Sequence, residues 1–124
     1  MRFLSDEWFE ALAAAVGRIG STAELSVGQV IHDGPTTHCY RFVSHLGRVA
    51  VERLDATAGP IADVTFEETR DVAAAVGRGE RSAGHAVLTG DIVVHGDVST
   101  LAAEPELATA LADAVGSLAD RTAY

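Results

Sequence analysis

The sequence predicts an α+β domain, a single unit spanning residues 1–124. Three observations point there. The apolar period is helical up to Ile19 and becomes two from Glu24 onward. Turn-forming clusters then divide the alternating stretch into short runs, and a helical stripe near the C-terminus needs a sheet to lie on. At 124 residues the chain is long enough to bury a real core and short for two.

The first helix is announced by Ser5, whose hydroxyl can accept from the free amides of the first turn, with Asp6 and Glu7 at the positive helix end. Leu4 and Phe9 occupy the two positions of a hydrophobic staple. Trp8, Leu12, Ala15, Val16 and Ile19 follow on one face, and Gly17 and Gly20 end the helix.

Between Glu24 and Phe66 the pattern is that of strands. Leu25 and Val27 alternate with polar neighbours, and Asp33 to Thr37, DGPTT, is a reversal. In the run HCYRFVSHL, parity places His38, Tyr40, Phe42 and Ser44 on one face and Cys39, Arg41, Val43 and His45 on the other. Gly47 turns the chain into RVAVERL, with Val49 and Val51 on a shared face. After the loop DATAGP, the run IADVTF directs Ala62, Val64 and Phe66 one way. The four runs read as a meander with one buried face.

Two helical runs follow, Glu67 to Val76 and Ser82 to Thr89. Then come the strand DIVVH, a helical turn VSTLAA, and a last helix opened by Pro105, where the missing amide costs no hydrogen bond. Gly90 ends the second of these helices in the left-handed conformation that favours glycine, and Asp97 caps the turn after the strand. Leu107, Leu111, Val115 and Leu118 form the stripe of the last helix.

Composition narrows the function classes. Eighteen acidic residues face nine basic ones, all arginine, for a formal net charge of −9. Such a field repels phosphate backbones, so no nucleic-acid partner is expected. Lysine and asparagine are absent, a bias that points to GC-rich coding. A lone cysteine, Cys39, can form neither an intrachain disulfide nor a cysteine-based metal site, which fits a reducing cytoplasm. The N-terminal MRFLSDEWFEALAAA has acidic residues where a signal peptide would be apolar. No window reaches the roughly 18 apolar residues of a membrane span, so no stable membrane insertion is expected.

The segment from Ala62 to Leu101 resembles the sterol carrier protein 2 family of lipid-binding domains. DVTF at Asp63 to Phe66 looks like the strand that enters the family's helical part, and RGERS at Arg78 to Ser82 like its R-G-E-x-S loop. TGDIVVHGD at Thr89 to Asp97 looks like its glycine-flanked strand. The resemblance implies a five-stranded, largely antiparallel sheet covered on one face by helices, with an apolar cavity between the layers. It further implies a non-covalent binder of fatty acids, acyl-CoAs, sterols or similar apolar ligands, with no cofactor, no metal and no chemistry of its own. Asp71 and Val72 stand where the family commonly has an aromatic, and Gly84 and His85 precede Ala86 and Val87 where it has a bulky pair.

Within that expectation the ligand-facing residues are His38, Tyr40, Phe42, Val51, Val64 and Phe66 from the strands, and Ile92 and Val94 from the last one. The helices contribute Val72, Val76, Val87, Leu88, Leu101, Leu107 and Leu111. With seven aromatics and many alanines the facing surfaces are low in volume, and layers that cannot close leave a cavity. His38, Tyr40 or Ser44 would orient a polar end. The five histidines lack metal-ligand spacing: no pair sits four apart, and His38 and His45 fall on opposite faces. His95 is expected to point away from Val94, to solvent.

The alternative is an enzyme, an isomerase or cyclase, that uses the same cavity with His38, Tyr40 and His85 as acid and base. No nucleophile, oxyanion donor or nucleotide fingerprint accompanies them. A homodimer, or docking on a larger enzyme through the outer face of Cys39, Arg41, Val43 and His45, is the remaining partner expectation.

Overall fold

A computed structural model describes all 124 residues. Helix α1, Asp6–Val16, begins where Ser5 accepts from the amide of Trp8, and it buries Trp8, Phe9, Leu12 and Val16. Strand β2, Thr36–His45, runs antiparallel to β1, Leu25–Asp33, and to β3, Arg48–Leu54, through the two predicted turns. Strand β4, Val64–Thr69, precedes helices α2, Arg70–Gly77, and α3, Ala83–Leu88. Strand β5, Val93–Gly96, is followed by α4, Ser99–Ala102, and α5, Pro105–Gly116. A short 3-10 turn, Ala119–Arg121, leads to the C-terminus.

The sheet order is β3-β2-β1-β4-β5, which replaces the expected meander. Strand β4 does not pair with β3 but runs parallel to β1, with Val64 beside Val27 and Phe66 beside Gln29. Parallel neighbours need a crossover connection. Residues 55–63 supply it by passing over the outer face of the sheet. There Gly28 admits the loop: a Cβ at this position would stand 2.7 Å from Ile61 Cγ1 and 3.1 Å from Ala62 Cβ.

That crossing also corrects the expectation of one buried face. Val30, Cys39 and Thr65, all pointing outward, are buried. The Cys39 thiol donates to the Ala56 carbonyl at 3.1 Å, and Arg41 pairs with Glu52 at 2.8 Å while donating to the Ile61 carbonyl. Of the outer-face residues proposed for docking, His45 pairs with Glu24 and Val43 is half-buried. The chain's own loop occupies much of that face.

The second difference lies at the end of β4. The strand continues through Glu67 and Glu68 to Thr69, and Thr69 accepts from the Val72 amide at 3.4 Å to start α2. The predicted helix start at Glu67 is therefore three residues early. Strand parity now separates the two acids, Glu67 facing the loop and Glu68 facing the helices.

The inner face carries the main core. Register aligns Val49, Ser44 and Leu25 in one row, then Val51, Phe42, Val27 and Val64, then Arg53, Tyr40, Gln29, Phe66 and Val94, and finally His38, Ile31 and Glu68. Against these rows lie α1 at one end and α2, α4 and α5 at the other. Edge-to-face aromatic pairs run from Phe3 through Trp8 and Phe9 to Tyr40 and Phe42. Pairs of this kind add about 0.5–1.5 kcal/mol each beyond area burial. No helix is long and apolar enough to cross a membrane.

Candidate functional site

A pocket of about 300 Å³ lies between the inner sheet face and the helices, within the size range of small-molecule sites. Its floor is Val27, Gln29, Ile31, Tyr40, Phe42, Phe66 and Glu68 from the strands, with Ile92 beside them. Its roof comes from Ala73, Val76 and Gly77 of α2, Ala83 of α3, Leu101 of α4, and Ala108, Leu111, Ala112, Val115 and Gly116 of α5. Phe3 closes one side. Ala83, Ala112 and Gly116 line the space yet are solvent-exposed, which places the mouth between α3 and α5.

The space exists because the roof is built from small side chains. Six of its positions are alanine or glycine, so the helices rest on their larger residues while their small ones hang short of the sheet. Apolar area that a ligand removes from water here is worth about 25 cal/mol per Å².

Tyr40, Phe42, Phe66, Val76, Ile92, Leu101 and Leu111, named from the sequence, all line this space. The others stand elsewhere. Val64 is on the inward row but packed solid, and Leu107 is core. Val51 packs half-buried against the core from strand β3. Val72 is half-buried outside the lining, because α2 turns Ala73 and Val76 inward, and Val94 is half-buried outside it on the edge strand β5. In α3 the inward residues are Ala83 and Ala86, so Val87 is only half-buried and Leu88 turns out to solvent at 88% exposure. The inward placement expected of Leu88 is thus corrected.

The three imidazole and phenol groups considered for acid–base chemistry do not assemble. Tyr40 is buried on the pocket floor, and burial, reinforced by the charge of Glu68, pushes its hydroxyl far above the ordinary phenol range. His38 stands half-buried at the strand end outside the pocket lining, its basicity lowered chiefly by desolvation. His85 is exposed on α3. A base must reach the proton it moves, and neither imidazole lines the pocket.

Two features escaped sequence reading. Glu68 lines the pocket, is 8% exposed, and has one oxygen, Oε2, sealed from water without a hydrogen-bond partner. Burial pushes its carboxyl up to about 8, so at neutral pH it is an uncharged acid that both donates and accepts. The signal was present: Thr69 followed by Arg70, Asp71 and Val72 is an N-cap pattern, and moving the helix start there puts Glu68 on the parity of Phe66.

The second feature sits on the opposite sheet face. Glu67 accepts from Nε2 of His32 at 2.6 Å and Nε2 of His95 at 2.8 Å, and from the Gly59 amide at 3.3 Å. These bonds, led by that from His32, hold its carboxyl below the ordinary range. His95 does turn away from Val94, but to Glu67 rather than to open solvent. No group of three or more His, Cys, Asp and Glu side chains is placed to hold a metal ion.

Comparison with solved structures decides the architecture. Sterol carrier protein 2 matches with a TM-score of 0.75 over 93% of this chain and 98% of its own, at 16% identity. The fold is that of sterol carrier protein 2. A conserved hypothetical protein from Thermus thermophilus, described as a candidate sterol carrier protein, matches with a TM-score of 0.73 at 17% identity, over 96% of this chain and 91% of its own. Palmitated SCP2L2 from Aedes aegypti matches with a TM-score of 0.58 at 21% identity, over 90% and 95%. No family model and no curated protein matches the chain. At these identities what the chain shares with sterol carrier protein 2 is the fold: a mixed sheet, antiparallel except for β1 and β4, with helices on one face.

Proposed function

We propose that this chain is a non-covalent carrier of an apolar small molecule, held between the inner sheet face and helices α2, α4 and α5. The observation that carries the reading is the lining itself. Only Gln29, Tyr40 and Glu68 interrupt a wall of aliphatic and aromatic side chains, and none is paired with a partner that would make it a nucleophile. That is a surface for holding, and its chemistry suits a ligand with a long apolar body and a small polar end. One structure of the same fold is of a palmitated protein, which supports an acyl-like body. A cytoplasmic setting suits the unpaired Cys39, buried under the crossover loop.

The test is native mass spectrometry of protein purified without detergent, together with fluorescence titration by Nile red, a neutral apolar dye. The expected result is dye binding that a co-purified or added apolar ligand competes away. A protein that carries no ligand and leaves the dye in water overturns the carrier reading.

A further inference from the structure

This inference rests on the carrier reading and concerns the polar part of the ligand. The inward positions of the central strand β1 are Leu25, Val27, Gln29 and Ile31, so a carboxamide stands where folding alone calls for an apolar side chain. It is the only side-chain carboxamide in the protein, which has one glutamine and no asparagine. Tyr40 is its register partner on β2, and side chains opposed in this way stand about 4.5–5.5 Å apart at Cβ.

The other polar groups of the inner face are accounted for without the pocket. The Ser44 hydroxyl donates to the Ala23 carbonyl at 2.7 Å, Arg53 pairs with Asp6, and His38 stands outside the lining. The unpartnered oxygen of Glu68 is sealed away from open space. Gln29 and Tyr40 differ from all of these. Both line the pocket, neither spends its side-chain polar atoms on a hydrogen bond within the chain, and none of those atoms is sealed. The carboxamide and the hydroxyl therefore open onto the pocket itself.

Together they offer the two N–H groups of the amide and the O–H of the phenol, which stays protonated because burial pushes it far above its ordinary range. A donor left unmet among apolar side chains is costly, and an acceptor oxygen on the ligand removes that cost. No arginine or histidine lines the space, so an anion buried here would have no cation to pair with.

We infer that Gln29 and Tyr40 are the hydrogen-bonding anchor of the pocket, and that its ligand carries an uncharged oxygen acceptor, a carbonyl or a hydroxyl, on an apolar body.

The experiment is an NMR titration of the isotopically labelled full chain with 2-octanone and with 1-octene, its counterpart without oxygen. Because Gln29 holds the only carboxamide, a single side-chain amide pair reports on it. The ketone is expected to move that pair downfield, saturating together with the backbone amides of Val76 and Leu111 on the roof. The alkene should move the roof amides without the downfield shift of the pair. Gln29→Leu suits the apolar row it joins, and it should weaken 2-octanone about fivefold while leaving 1-octene binding unchanged or tighter. Roof amides that follow the ketone while the Gln29 pair stays in place overturn the anchor and leave the carrier reading standing, as does ketone affinity unchanged in Gln29→Leu. Octanoate that moves the pair downfield at the same concentration as the ketone overturns the restriction to an uncharged oxygen. Roof amides that respond to neither compound strike the carrier reading itself.

Discussion

At neutral pH the Glu68 carboxyl keeps its proton, because ionising it would bury a charge among apolar side chains with no cation opposite. The consequence for stability has a definite sign. The folded value of about 8 lies above the ordinary 4.5, so below about pH 4.5 both states are protonated and the titration of Glu68 adds no cost. Between those values the unfolded chain releases the proton and the folded chain holds it. Stability then falls by about 1.4 kcal/mol per pH unit until the folded group also ionises. Glu68→Gln is expected to match the unmodified protein near pH 4 and to exceed it by about 2–5 kcal/mol above pH 8. Denaturant unfolding at a series of pH values measures the difference, and parallel curves for the two proteins would contradict the assignment.

The crossover loop and the sheet face beneath it form one element, held where Glu67 accepts from His32, His95 and the Gly59 amide. Hydrogen bonds to a charged acceptor contribute about 1.5–3 kcal/mol, so Glu67→Ala should lower unfolding stability by about that amount. It should also speed amide exchange at Ile61 and Ala62, whose amides donate to Thr65 Oγ1 under the same loop. Unchanged exchange there would show that the loop is held by other contacts. The Glu67 carboxyl is held low, so its contribution is present above the ordinary 4.5 and lost as pH falls through the lowered value. Helices α1, α3 and α5 and strands β1 to β3 were legible in the sequence because cap, period and turn are local signals. The partner of β4 was not, because alternation in IADVTF says which residues share a face and nothing about which strand lies alongside. That choice is made by the loop packing on Gly28, a contact between residues far apart in the chain.

Across the whole molecule the pocket is what remains when a sheet with large inward residues meets helices whose facing positions are small. Sequence reading reached the floor through Tyr40, Phe42 and Phe66 because parity is strict. It reached the roof through Val76, Leu101 and Leu111, and it read the many alanines as too small to close the layers, but it did not locate the particular alanines and glycines of α2, α3 and α5 that leave the space. Ala112, exposed at the mouth, is the place to close it. Ala112→Trp should weaken Nile red binding about tenfold or more while changing unfolding stability by no more than about 1 kcal/mol, as surface substitutions do. Binding that survives this substitution would move the site elsewhere. The most direct test of the carrier reading is an amide NMR titration of the isotopically labelled chain with 1-decanol. The account predicts shifts concentrated at Ala73, Val76, Ala108, Leu111 and Val115 and at the inner strand residues Gln29 and Tyr40. Shifts confined to the outer face around Cys39 and Val43, or no saturable shifts at all, would contradict it.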